Sequence, residues 1–72
     1  METKIPELRK LFKLSQEELS EAVGVTRQTI ISIERGRYVA SLPLAYRIAR
    51  HFEKTIEEVF IFNDKEVDNE NI

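Results

Sequence analysis

At 72 residues, with 42% apolar and 33% charged side chains, the chain bounds one globular domain, too short for two and too apolar to stay disordered. It holds no cysteine and no apolar run of membrane-spanning length, and Met1 to Pro6 lacks a signal-peptide core; disulfides, thiolate chemistry and a membrane partner are excluded, and a cytoplasmic protein is expected. The net charge of −2 is unevenly spread: Asp64, Glu66, Asp68 and Glu70 face Lys65 alone at the end, while Arg27, Arg35, Arg37, Arg47 and Arg50 face Glu34 alone between Thr26 and Arg50, so a local basic surface on an acidic chain is expected.

The pattern reads as five helices. Ile5, Leu8 and Phe12 share one helical face, which predicts helix one over Thr3 to Phe12 with Pro6 in its first turn. Ser15 and Glu18 form a capping box for helix two, with Leu14 and Leu19 at staple spacing and Gly24 at the stop. Thr26 caps helix three, Val25 and Ile30 repeat the staple, and Gly36 ends it. Ser41 caps helix four, which puts Leu44, Ile48 and Phe52 on one face. Thr55 and Glu58 box a short helix five with Ile56, Val59 and Phe60 apolar, and Ile61 and Phe62 extend that run beyond one helical face. The domain is expected to cover residues 1–63, followed by a flexible acidic tail over 64–72.

Two capped helices joined by a short turn that contains a glycine make a helix-turn-helix unit, here residues 15–35. At about 100° per residue, Thr29, Ile30, Ile33 and Glu34 fall on an inward arc. Arg27, Gln28, Ile31, Ser32 and Arg35 fall on the outward one. Arginine reads guanine, glutamine reads adenine and serine is an adaptable donor or acceptor, so Arg27, Gln28 and Ser32 are the candidate base readers. Ile31 either touches a thymine methyl or tucks against the core edge, with equal weight. Gln16, Thr26, Arg35 and Arg37 are the candidate phosphate contacts. Taken alone, a polar helix face is more often simply solvated; the two tight caps and the charge bias tip the reading toward double-stranded DNA.

The strings Leu14-Ser15-Gln16-Glu17-Glu18-Leu19, Val25-Thr26-Arg27-Gln28-Thr29-Ile30 and Ile33-Glu34-Arg35-Gly36-Arg37 resemble the Cro and phage-repressor-like (Xre-type) transcriptional regulators. The match runs on through Ser41-Leu42, Leu44-Ala45, Ile48-Ala49 and Ile56-Glu57-Glu58-Val59-Phe60. The resemblance implies an all-α, five-helix, lambda-repressor-like domain that binds a palindromic operator as a dimer. It also implies that Gln16 contacts phosphate, that Arg27, Gln28 and Ser32 read bases, and that Arg9 pairs with Glu34 to tie helix one to helix three. Three departures stand out. Lys13 occupies a position where the family has glycine, so it must accept a strained conformation or change the turn. Val39-Ala40 replaces Asn-Pro, which alters the phosphate contacts of that loop. Leu11 and Phe12 replace polar residues; Phe12 is expected in the core, and Leu11 either there or on a partner surface.

Short regulators of this kind sometimes end in a strand that pairs across a two-fold axis. Val59, Phe60, Ile61 and Phe62 have the composition for it, and a dimer interface there is preferred over simple cover for the subunit's own core. One histidine and no cysteine leave no metal site, nucleophile or cofactor signature, so no enzyme is expected, and His51 reads as a surface residue. No effector pocket is legible. The rival reading is an antitoxin-like or adaptor protein that uses the same fold for protein contacts, with residues 64–72 as a docking arm.

Overall fold

The computed structural model describes residues 1–62; the expected boundary at Asn63 and the acidic stretch 64–72 lie outside the described residues. In chain order the elements are β1 (Glu2–Thr3), α1 (Ile5–Phe12), α2 (Gln16–Val23), α3 (Arg27–Glu34), α4 (Leu42–His51), α5 (Ile56–Val59) and β2 (Phe60–Ile61).

A helix start leaves its first amides without partners, and hydroxyl side chains supply them at α2 to α5. Ser15, Thr26, Ser41 and Thr55 accept from the amides of Glu18, Thr29, Leu44 and Glu58 at 2.9, 3.2, 3.3 and 3.3 Å. At α2 and α5 the glutamate reaches back to the capping residue's own amide, at 2.8 and 2.9 Å, and so closes a capping box.

The first four helices stop by one device. The backbone turns left-handed at Lys13 (φ 57°), Gly24 (φ 79°), Gly36 (φ 73°) and Glu53 (φ 57°). The next amide then donates five residues back: Leu14 to Arg9, Val25 to Ser20, Arg37 to Ser32 and Lys54 to Ala49, all within 2.8–3.0 Å. Lys13 therefore keeps the turn and accepts the strained conformation, as Glu53 does.

Helix one is shorter than its apolar spacing predicts, because Thr3 belongs to a strand. Glu2 pairs with Ile61 and Thr3 with Phe60 in an antiparallel ladder. Lys4 N–H extends it by donating to Val59 O at 2.7 Å. The short C-terminal strand is present, but its partner in this chain is the N-terminal segment.

Ile5, Leu19, Ile30, Ile33, Ile48, Phe52 and Val59 are fully buried and bring α1 to α5 around one core. Burial of each such side chain contributes about 1.5–3 kcal/mol. Phe12 is not in that core. It is 38% exposed and packs edge-on against Phe52 with ring centroids 5.3 Å apart, because the last turn of α1 overhangs the core margin. Leu11 is 72% exposed.

Candidate nucleic-acid interface

Ile30 and Ile33 anchor α3 to the core, and this fixes which of its residues face outward. Arg27 and Gln28 are exposed in the first turn, while Ile31 and Ser32, one turn on, are half-buried. Gln28 and Ser32 line an open hollow of about 220 Å³ together with Thr26, Thr29 and Tyr38. Tyr38 was not singled out from the sequence; its one local signal is an aromatic ring placed directly after Gly36-Arg37. The Thr26 hydroxyl is engaged as the helix cap and also lies 3.0 Å from the Thr29 hydroxyl.

A second open hollow, of about 540 Å³, joins Gln16 to Arg27, with Arg9, Ser15 and Glu17 also on its wall. Beneath Gln16 lies a charged network. Arg9 Nε donates to Glu34 Oε2 at 2.6 Å and its Nη2 to Glu34 Oε1 at 3.2 Å. Arg9 Nη1 donates to Leu14 O at 3.1 Å, and Gln16 Nε2 to Glu34 Oε1 at 3.0 Å. Arg9 comes from α1, Gln16 from α2 and Glu34 from α3, so three helices meet in one bidentate ion pair and its satellite amide.

The five arginines between Thr26 and Arg50 have different surroundings. Arg27 opens α3, whereas Arg35 follows its last turn and lines a separate hollow with Met1, Glu2, Glu34 and Gly36. Arg37 is exposed in the following loop and lines neither of the first two hollows. Arg47 donates to Val23 O at 3.1 Å and so caps the end of α2 from α4. Arg50 stacks over the Tyr46 ring, 5.9 Å from its centroid. Arg47 was legible only as charge, since its partner lies far away in sequence.

Of the residues expected at a dimer interface, Val59 and Phe60 are buried inside the subunit at 0% and 3% exposure. Val59 is buried from the end of α5 and the pairing of β2 with β1 sets Phe60 inward, which leaves Ile61 and Phe62 as the accessible pair. Phe62 and Phe60 border an apolar groove of about 160 Å³ with Val39, Ala40, Leu42 and Ile56. Tyr38 to Tyr46 contains no charged residue, and Val39 and Leu42 are among the most exposed apolar side chains described. His51 is exposed at the end of α4, and among the described residues no group of three His, Cys, Asp or Glu is placed to hold a metal. Among them, too, no helix is long and apolar enough to cross a membrane. Glu58 has its carboxyl held below the usual range, first by the Thr55 amide that donates to it in the capping box and then by the Thr55 hydroxyl beside it.

Residues 5–59 match the family described as Helix-turn-helix. An uncharacterized HTH-type transcriptional regulator of Methanothermobacter thermautotrophicus is 57% identical over 65 residues, which is 89% of this chain and 94% of that protein. One from Archaeoglobus fulgidus is 51% identical over 93% of this chain and 94% of its own length. The Bacillus subtilis regulator YgzD is 53% identical over 83% and 91%. Among solved structures, the clp gene regulator ClgR of Corynebacterium glutamicum superposes with a TM-score of 0.71 at 21% identity, over 92% of this chain and 70% of that one. A chain of the SinR–SinI complex gives a TM-score of 0.73 at 19% identity, over 94% and 72%. At these identities the two structures speak to fold alone.

Proposed function

The chain belongs to the helix-turn-helix family, of the Xre and Cro-like kind, and from that premise we propose that it is a transcriptional regulator that binds double-stranded DNA sequence-specifically as a homodimer and represses by occupying its operator. The observation that carries this reading is α3 itself. Its apolar side is locked by Ile30 and Ile33 while Arg27 and Gln28 stand free at its first turn. Residues at that end of a recognition helix lie deepest in the major groove, where arginine pairs with guanine and glutamine with adenine. Ser32 adds an adaptable contact one turn on, and Ile31 meets a thymine methyl beside it. Gln16, Arg35, Arg37 and the backbone at Thr26 meet phosphates and set the register.

A two-fold dimer puts the two reading helices about 34 Å apart, so the operator is a palindrome with half-sites one turn apart. Ile61, Phe62 and the uncharged Val39–Leu42 segment form the subunit contact in this reading, since Val59 and Phe60 are already buried. The test is selection of bound sequences from random duplex DNA at physiological salt, repeated with Arg27→Ala and Gln28→Ala. A recovered palindrome that is relaxed in the variants supports the reading. Weak binding equal across sequences overturns it, and favours a protein partner on the same apolar groove instead.

A further inference from the structure

We propose that Glu34 is a positioning residue for DNA contact: its carboxylate holds the Gln16 side-chain amide in one orientation, with one amide proton left to meet a backbone phosphate. The inference rests on the DNA reading above and adds a device that works before DNA arrives.

The Glu34 carboxylate is only 9% exposed, and both of its oxygens are in use. Arg9 takes both oxygens and also holds Leu14 O, so the guanidinium has three fixed partners and cannot swing out to follow an anion. That ion pair is complete without Gln16. Yet Gln16 Nε2 lies 3.0 Å from Glu34 Oε1 and so is the outward end of the network. A carboxylate accepts and never donates when ionised. Rotation of the Gln16 amide by half a turn would set its carbonyl oxygen against that carboxylate, acceptor against acceptor. The charge on Glu34 therefore selects the amide orientation. One Nε2 proton is bound, and the other is available toward the hollow that Gln16 shares with Ser15 and Arg27.

Two consequences follow. Gln16 loses its rotamer freedom on folding and not on binding, which lowers the cost of association. Its amide is also fixed relative to α3, because Glu34 is the last residue of that helix. The phosphate contact from α2 and the base contacts from α3 are then set in one register.

The experiment measures operator affinity for the wild type, Gln16→Ala, the pair Arg9→Met with Glu34→Ala, and the three changes together. The pair removes both charges at once, so no buried charge is left alone. Loss of one phosphate hydrogen bond weakens binding roughly tenfold. We expect Gln16→Ala to do so equally for all sequences and without change in salt dependence, since glutamine carries no charge. We expect the folded pair variant to lose a similar factor, and the triple variant to lose no more than either. A pair variant that binds like the wild type, with the triple variant matching Gln16→Ala, would show that the ion pair serves the fold alone. A second measurement needs no variant. The Gln16 Nε2 order parameter in the free wild-type protein should approach that of rigid backbone, about 0.85, and a value below about 0.6 overturns the proposal even where DNA is bound. A wild-type chain that binds no duplex sequence overturns the DNA reading itself, with this role included.

Discussion

The α2–α3 unit and the terminal clip of β1 and β2 are held by opposite kinds of contact. The first is written locally. Ser15, Gly24, Thr26 and Gly36 each act on a partner within five residues. The clip joins Glu2 and Thr3 to Ile61 and Phe60, across nearly the whole chain, and no turn residue announces it. Yet the two regions share a border, because Met1 packs on Gly36 at the end of α3. Helix α3 is thus specified by its neighbours in sequence and braced by residues remote from it.

The largest test of this division is Ile30→Ala. Ile30 lies at 0% exposure beneath the outward face of α3, and its truncation should cost about 2–5 kcal/mol in denaturant unfolding. One cooperative transition, seen equally by probes in α3 and in β2, is expected if both regions lean on one core. Two separated transitions would break the comparison, because the clip would then be an independent unit.

The next test separates the two glycines. Both stand in left-handed conformations, at φ 79° for Gly24 and φ 73° for Gly36. An added Cβ at Gly24 meets nothing within 4 Å, so Gly24→Ala should cost only the conformational strain, about 1–2 kcal/mol. At Gly36 the same Cβ would lie 3.1 Å from Met1 O, so the N-terminal segment must give way as well. Gly36→Ala should therefore be the more destabilising of the two and should raise amide exchange at Lys4, whose amide bonds Val59 O. Equal losses would mean that Met1 does not brace α3.

A smaller effect has the opposite sign. Lys13 adopts φ 57°, the same stop that Gly24 and Gly36 make without strain. Relief of left-handed strain outweighs the extra chain entropy of glycine, so Lys13→Gly should stabilise by about 0.5–1 kcal/mol, read as a higher denaturation midpoint at unchanged slope. A loss of stability would show that the Lys13 side chain has a favourable role the turn does not require.

What the residues disclosed follows the same line. Four caps, the stops at Gly24 and Gly36 and the inward arc of α3 were legible because each depends on a pattern within one or two turns, whereas the stop at Glu53 carries no glycine to announce it. The candidate readers Arg27, Gln28 and Ser32 were legible as an arc for that reason. Three features were not. Thr3 reads as the start of helix one from the apolar spacing that follows it, and only the distant Phe60 makes it a strand. Val59 and Phe60 read by composition as an outer strand in preference to an inner face, and the fold buries both in the subunit's own core. Arg47 counted as basic surface until Val23 O took its guanidinium. In each case the deciding partner is more than twenty residues away, where spacing carries no signal.

The smallest effect tests whether a local device acts locally even beside the clip. Glu58 closes the capping box of α5, and α5 runs directly into β2. The Thr55 amide holds the Glu58 carboxyl below its ordinary value of 4.5 in the folded chain. A group whose folded pKa is lowered stabilises the fold above its unfolded value and loses that contribution as pH falls through the folded one. The wild type should therefore exceed Glu58→Gln in melting temperature at neutral pH, and the gap should close on acidification below about 4.5. The side chain is open to solvent, so salt and water screen its charge and the gap should be modest. A gap that stays constant down to low pH would mean that the substitution acts through packing against β2 and not through the charged cap.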